Sequence, residues 1–249
     1  MRTPALTPLP PPWPVAVSGA MNDARLLGYD TACFPFASLA AMALRVEDLS
    51  ALHEQRRDLS QPPRYADNVR LRRELLLRLE ATPFFSYYDA LVSTVVTPLF
   101  RTKLSYSRRP QFRVHLAGSP SASAWHTDQQ VTGRDDQINI WLPFTSTCTA
   151  NTLWVEPDYG RGDYTPVPVE YGQMLLFDGS LLSHGTVANT SSQTRVSMDL
   201  RFVPHGPGVL QRFFPSRTSL AGGRPGPAGE GSVAAASANL RATSGRTPV

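Results

Sequence analysis

Apolar residues along this chain recur with two different periods, and the change of period divides it. Leu71, Leu75, Leu76 and Leu79 share one side of a 3.6-residue repeat, with Arg70, Arg73, Arg78 and Glu80 elsewhere. That spacing predicts a helix capped by Asp67 and ended by Pro83. Residues 84–100 form a second apolar helical stretch, and 46–59 a weaker one. From about Phe112 the period becomes two: Ile138, Ile140, Leu142 and Phe144 face one way, and Gln137, Asn139 and Trp141 the other. Similar short runs follow at 152–156, 164–169, 173–177, 183–189 and 194–203, with Gly, Pro, Asp and Ser clusters between them. About seven or eight such strands predict a sandwich or barrel, so the expected fold class is mainly β with N-terminal helices.

The two ends read differently from the middle. Residues 1–18 are proline-rich and predict an extended arm, and 216–249 are mostly small and polar and predict a disordered tail. One domain is expected over 19–215, helical to about 105 and a β-core over about 110–205. No apolar run approaches the roughly 20 residues of a membrane span, and the first residues carry no apolar signal segment. Cys33 and Cys148 are too few for a disulfide framework, so reduced thiols in a cytoplasm are expected. The formal charge of +4 comes from arginines, with Lys103 the single lysine. No sustained basic stripe or stacking aromatic pattern accompanies it, which argues against nucleic acid as a partner. Oligomeric state is not legible.

Candidate chemistry gathers at three places. His126 and Asp128 stand two residues apart, which on a strand points an imidazole and a carboxylate to the same side. His184 comes 58 residues later, after a predicted strand and a Gly-Ser turn, where a barrel can bring it beside the first pair. Two histidines and one carboxylate on one face of a metal leave open positions, a set suited to iron(II) binding a bidentate acid and dioxygen. Arg195 follows His184 by eleven residues, and a hairpin between the two segments would bring them together. Ser197 shares its strand face; a guanidinium fork with a hydroxyl is what a buried carboxylate needs.

In that order, His126-x-Asp128, His184 and Arg195-x-Ser197 resemble the iron(II)/2-oxoglutarate-dependent dioxygenases. Residues 172–177 and 184–191 are similar to the phytanoyl-CoA-dioxygenase-like branch, and the wording at 139–143 and 151–155 resembles streptomycin-biosynthesis-type tailoring oxygenases. The resemblance covers about 112–203. It implies a double-stranded β-helix core, with His126, Asp128 and His184 holding iron(II) and Arg195 with Ser197 holding 2-oxoglutarate. It further implies that Asn139 touches the cosubstrate, with Arg113 or His115 on the preceding strand as a second contact. Dioxygen would oxidise an unactivated C–H of a small molecule by hydroxylation, desaturation or ring closure, releasing succinate and carbon dioxide. The carboxylate of Asp128 argues against halogenation, because related halogenases lack it. Asn151-Thr152 stands where the family usually has Asn-Gly.

Substrate contacts are expected from the loop after the first pair, including Gln129 and Arg134, from the loop at 157–163, and from the helices. Trp141 reads as a core or pocket-wall aromatic, and Arg201 as a substrate contact or a surface ion pair. His53 and His205 belong to no constellation. Two other readings fit parts of the pattern. A cupin-like hydrolase or isomerase would share the metal ligands without needing Arg195 and Ser197, and a β-sandwich binding module would need no metal at all.

Overall fold

The computed structural model describes residues 15–16 and 24–217. Val15–Ala16 (β1) and Arg25–Gly28 (β2) open the chain, followed by helices Phe36–Leu44 (α1), Leu52–Gln55 (α2) and Tyr65–Leu79 (α3). Helix Phe84–Leu91 (α4) runs through a π-helical turn, Val92–Val96, into Thr97–Phe100 (α5). Strands Leu104–Tyr106 (β3) and Gln111–His115 (β4) come next, then a short helix, Asp128–Thr132 (α6). Ile138–Pro143 (β5), Leu153–Val155 (β6), Thr165–Val167 (β7), Gln173–Phe177 (β8), His184–Gly185 (β9) and Arg195–Pro204 (β10) complete the sheets before Val209–Phe213 (α7). No helix among the described residues is long and apolar enough to cross a membrane.

The strands form two antiparallel sheets. The larger runs β1-β2-β8-β5-β10-β3, with β4 also against β10, and the smaller runs β7-β6-β9. His126 adds to the smaller sheet through an isolated bridge to His184. From β4 onward the chain passes back and forth between the sheets, which is the winding of a double-stranded β-helix. The two faces of the larger sheet are unlike. Val196, Met198, Leu200 and Phe202 point outward with Ile138, Ile140 and Leu142, and are covered by Leu71, Leu75, Leu79, Phe84 and Tyr88 of the helices. Each fully buried leucine there contributes about 2 kcal/mol of apolar transfer energy. The inner face presents Trp141, Leu175 and Phe177 to Leu153, Val155 and Val167 of the smaller sheet. The alternate residues of β10, namely Arg195, Ser197, Asp199 and Arg201, also face this interior.

Several local expectations shift. Within the span expected to be helical, Arg25–Gly28 is a strand on the edge of β8, pairing Arg25 with Leu176 and burying Leu27. The weak helix at 46–59 shrinks to α2, because Asp48 accepts the Ser50 backbone N–H at 2.8 Å and closes a turn instead. Asp67 lies inside the first turn of α3 and accepts the Arg64 N–H at 2.9 Å. Of the expected arm, Val15–Ala16 is described, and it pairs with β2. Of the expected tail, Ser216 and Arg217 are described, and Arg217 pairs with the buried Asp178. The rest of both segments lies outside the described residues.

Candidate metal centre

His126 and His184 face each other across the bridge, each donating its backbone N–H to the other's carbonyl, at 3.0 and 2.9 Å. That pairing sets their rings side by side, with centroids 4.5 Å apart. Asp128 reaches them differently from the strand geometry expected. Thr127 caps α6, accepting the Gln130 N–H at 3.4 Å while the Gln130 amide oxygen accepts the Thr127 N–H at 3.0 Å. The strand-like path therefore ends at His126, and Asp128 is the first residue of a helix. Its N–H donates to the Gly179 carbonyl at 2.8 Å, which ties the helix start to the turn after β8.

The side chains meet in the interior. Asp128 Oδ1 lies 3.6 Å from His126 Nε2 and 4.0 Å from His184 Nε2, and the three candidate ligand atoms all fall within 4.8 Å of one another. Cis ligands about 2.1 Å from a metal sit about 3 Å apart, so closing on an ion needs roughly half an ångström from each side chain. Both imidazoles have the tautomer for it. Nδ1 of His126 bonds the Ala124 carbonyl at 2.8 Å and Nδ1 of His184 bonds the Leu182 carbonyl at 3.0 Å. Each Nδ1 thus carries the proton and each Nε2 presents its lone pair. Burial holds the His184 imidazole down at about 4, so it is neutral at pH 7. Burial pushes Asp128 upward, but the neighbouring His126 and His184 imidazoles, Arg201 and the Asn139 amide outweigh it and hold the group below the usual carboxylate range. A neutral imidazole and an ionised carboxylate are the forms a metal binds.

Asp128 is also held from behind. Asn139, expected at the cosubstrate, instead donates its amide to Asp128 Oδ2 at 2.7 Å and to Asp199 at 3.2 Å. Asn139 pairs with Arg201 across β5 and β10, so both project inward from neighbouring strands. Arg201 is no surface ion pair: its Nη2 lies 2.7 Å from Asp128 Oδ1 and its Nε 3.4 Å from Asp199. The Arg201 contact has ion-pair distance without hydrogen-bond direction, and among the described residues Oδ1 has no hydrogen-bond partner. Oδ2 is thereby fixed and Oδ1 left facing the two histidines. Gly179 makes room for this, since a Cβ there would stand 2.4 Å from the Asn139 amide carbon. Gly185, beside His184, is similarly confined: its Cβ would come within 2.8 Å of the Trp125 ring.

Arg195 enters from the opposite wall. No hairpin joins it to His184, because β9 pairs with β6 in the smaller sheet and β10 lies in the larger one. Arg195 is 1% exposed and sits over the Trp141 ring, 5.5 Å from its centroid. Its Nε and Nη1 and the Ser197 hydroxyl have no hydrogen-bond partner among the described residues. Burial, with the neighbouring Arg113 charge, pulls its guanidinium down to about 9. His115 pairs with Arg195, and Arg113 with Ser197, in the β4–β10 ladder, so all four project to the same side. His115 is fully buried, bonded to the Pro120 carbonyl at 3.1 Å, and burial pushes it down to about 3. Arg113 donates to the Phe112 carbonyl at 3.0 Å.

The structure thus brings His126, Asp128 and His184 together, and gathers Arg195, Ser197, Arg113, His115 and Trp141 on one inner face. Gln129 is exposed on α6 and Arg134 on the segment after it, Arg134 paired with Asp136 at 2.7 Å. Three residues went unread in the sequence: Gly179, Gly185 and Asp199. Asp199 was within reach, since it continues the inward alternation of Arg195 and Ser197. A cleft of about 480 Å³ opens beside Arg201 and Asp199, walled by β3, β4, β10 and the segment after α6.

No family model matches the chain. Among solved structures it resembles the non-heme alpha-ketoglutarate-dependent epimerase SnoN from nogalamycin biosynthesis, at 14% identity and TM-score 0.47 over 74% of this chain and 78% of that one. It also resembles EctD from S. alaskensis with 2-oxoglutarate and 5-hydroxyectoine, at 15% identity and TM-score 0.46 over 74% and 73% of the two chains. At those values neither bears on reaction or substrate. The streptomycin biosynthesis protein StrG of Streptomyces griseus is 31% identical over 190 residues, spanning 72% of this chain and 83% of StrG. A shared sequence of that length and coverage indicates common descent, and the chain belongs to the StrG family.

Proposed function

We propose that this chain is a non-haem iron(II)/2-oxoglutarate-dependent oxygenase that oxidises an unactivated C–H bond of a small natural-product intermediate. One observation carries the reading: a fully buried guanidinium, Arg195, with no carboxylate of its own. An unpaired buried cation is costly, and an anion arriving from outside is what offsets it. Arg195 and Ser197 are the donors for the distal carboxylate of the keto acid, and Trp141 flanks the guanidinium. The histidine–carboxylate set supports the iron, since two imidazoles and one carboxylate with open positions suit iron(II). The bound iron with 2-oxoglutarate supplies dioxygen activation coupled to decarboxylation of the keto acid, and the hydrogen abstraction that follows.

The chain's own residues supply position. The Ala124 and Leu182 carbonyls fix the two imidazoles, Asn139 fixes the carboxylate, and the sheets shield the centre from water. The name of the StrG relative supports an antibiotic pathway as the source of substrate. The test is aerobic incubation of the full chain with iron(II) and 2-oxoglutarate, following succinate. Uncoupled succinate formation that disappears in His184→Ala and Arg195→Met is expected. Metal binding without any 2-oxoglutarate binding would leave a non-oxidative metal enzyme as the better account.

A further inference from the structure

After α7 the chain returns to the barrel. Phe214 is buried in the outer core with the helices, and Arg217 donates its backbone N–H to the Phe214 carbonyl at 3.1 Å. The Arg217 side chain is 8% exposed and reaches Asp178, which is fully buried. Its Nε lies 2.5 Å from Asp178 Oδ2 and its Nη2 3.3 Å from Oδ1. The Tyr159 hydroxyl donates to the same Oδ2 at 2.8 Å. Arg217 Nη2 also donates to the Asp135 carbonyl. A planar fork with several donors can span a carboxylate and a carbonyl at once, which a lysine ammonium cannot do in the same geometry. Burial pushes the Asp178 carboxyl above its ordinary range, and the Arg217 charge is the largest influence opposing it.

Asp178 opens the turn that leads from β8 to His184. Its carbonyl accepts the Leu182 N–H at 2.8 Å, which closes the turn. That turn then serves the candidate metal centre repeatedly. The Gly179 carbonyl accepts the Asp128 N–H at 2.8 Å, and the Ser180 carbonyl accepts the Gln129 N–H at 3.2 Å. The Leu182 carbonyl is bonded to His184 Nδ1 at 3.0 Å, and the missing Cβ of Gly179 leaves room for Asn139. Asp135, the other residue that Arg217 holds, lies in the segment just after α6, the helix that Asp128 starts. One guanidinium therefore ties the turn that seats two of the candidate ligands to the chain leaving the helix of one of them.

We propose that Arg217 is a positioning residue for the candidate metal centre. By clasping Asp178 to the Asp135 carbonyl it holds the 178–182 turn, and through that turn Asp128 and His184, at ligand spacing. The inference rests on the oxygenase reading in treating those two residues as metal ligands.

The test uses the full chain as Arg217→Met, Arg217→Lys and the double variant Asp178→Asn/Arg217→Met. Each is followed by equilibrium dialysis against manganese(II) and, without metal, by amide hydrogen exchange. Arg217→Met should weaken manganese binding roughly tenfold, the low end for residues that support metal ligands. Arg217→Lys keeps the charge beside Asp178 without the fork and should recover part of that loss. The double variant removes the unpaired buried carboxylate, so it should recover Tm but not metal affinity. In Arg217→Met the amides of Asp128, Gln129 and Leu182 should exchange about tenfold faster or more, while those of Met198 and Leu200 in β10 keep their native rates. Should Arg217→Met fail to fold, the same two readouts on Arg217→Lys carry the test. Native metal affinity in the double variant would overturn the inference, because Arg217 would then do no more than neutralise Asp178. Full manganese binding with native exchange in Arg217→Met would also overturn it and leave the oxygenase reading standing. A native chain that takes up no manganese would sink the oxygenase reading, and the exchange pattern alone would then decide the clasp.

Discussion

The two halves of the barrel interior are both polar, yet they are built on opposite terms. Around Asp128 the atoms that orient the three candidate ligands are committed, and Asp128 Oδ1 is left open toward the histidines. The Nδ1 atoms of His126 and His184 are tied to carbonyls, Asp128 Oδ2 to Asn139, and the helix start to Gly179. Around Arg195 the polar atoms are loose: two guanidinium nitrogens, the Ser197 hydroxyl and His115 Nδ1 have no partner among the described residues. The first arrangement fixes ligands before anything binds. The second holds donors that the protein itself does not satisfy. A metal centre needs orientation more than it needs spare donors; a cosubstrate pocket needs donors that are free.

The difference is sharpest where a side chain is removed. His184→Ala takes away a ligand that nothing nearby replaces and should reduce metal affinity by more than the roughly 10–100-fold typical of losing a supporting residue. Equilibrium dialysis against manganese(II) measures it; unchanged affinity would break the claim that this end is the metal centre. Arg195→Met should act in the other direction on stability. Replacing an unpaired buried cation by an apolar chain of similar length should stabilise the ligand-free fold by about 1–4 kcal/mol. Thermal denaturation checks this, and a fall in Tm would mean that Arg195 is already satisfied within the protein.

Smaller effects distinguish holding a ligand from being one. Asn139→Ala should lower metal affinity about 10–100-fold while leaving the fold intact, because Asp128 keeps its place but loses its orientation. Gly179→Ala should reproduce the loss by pushing the Asn139 amide away, since its Cβ would stand 2.4 Å from that group. A normal metal affinity in both would show that Asn139 contributes nothing to Asp128. The smallest effect is a pH dependence. His115 titrates near 6.5 when unfolded and is pushed down to about 3 by burial, so the unfolded chain binds more protons between those values. Stability is then full above 6.5 and falls as pH drops toward 3. His115→Gln should flatten that acid limb in Tm measurements, and an unchanged limb would place the titration elsewhere.

Much of this was legible in the residues. Period-two runs located the strands from β4 onward, and the leucines of α3 located the helix that covers them. Residue types at 126, 128, 184, 195 and 197 pointed to one interior. What the sequence could not give was the route by which they meet. His126 and Asp128 looked like a strand pair, although Thr127 with Gln130 already had the form of a capping box and marked a helix start. Arg195 looked like the hairpin neighbour of His184 because short spacing favours a local connection, whereas the chain crosses to the other sheet. The pattern puts Asn139 at the cosubstrate and Arg201 at the substrate or the surface, because the partners that hold Asn139, Asp128 and Asp199, lie 11 and 60 residues from it in sequence. Gly179 read only as a turn. Its constraint comes from a side chain on another strand, which no local pattern announces.

The most direct measurement is anaerobic titration of the full chain with iron(II) and then 2-oxoglutarate, watching for a visible charge-transfer band. The account predicts that the band forms in the native chain and disappears in Arg195→Met while metal binding persists. A band of full strength in Arg195→Met, or iron binding with no band at all, would contradict the assignment of the free guanidinium to the cosubstrate.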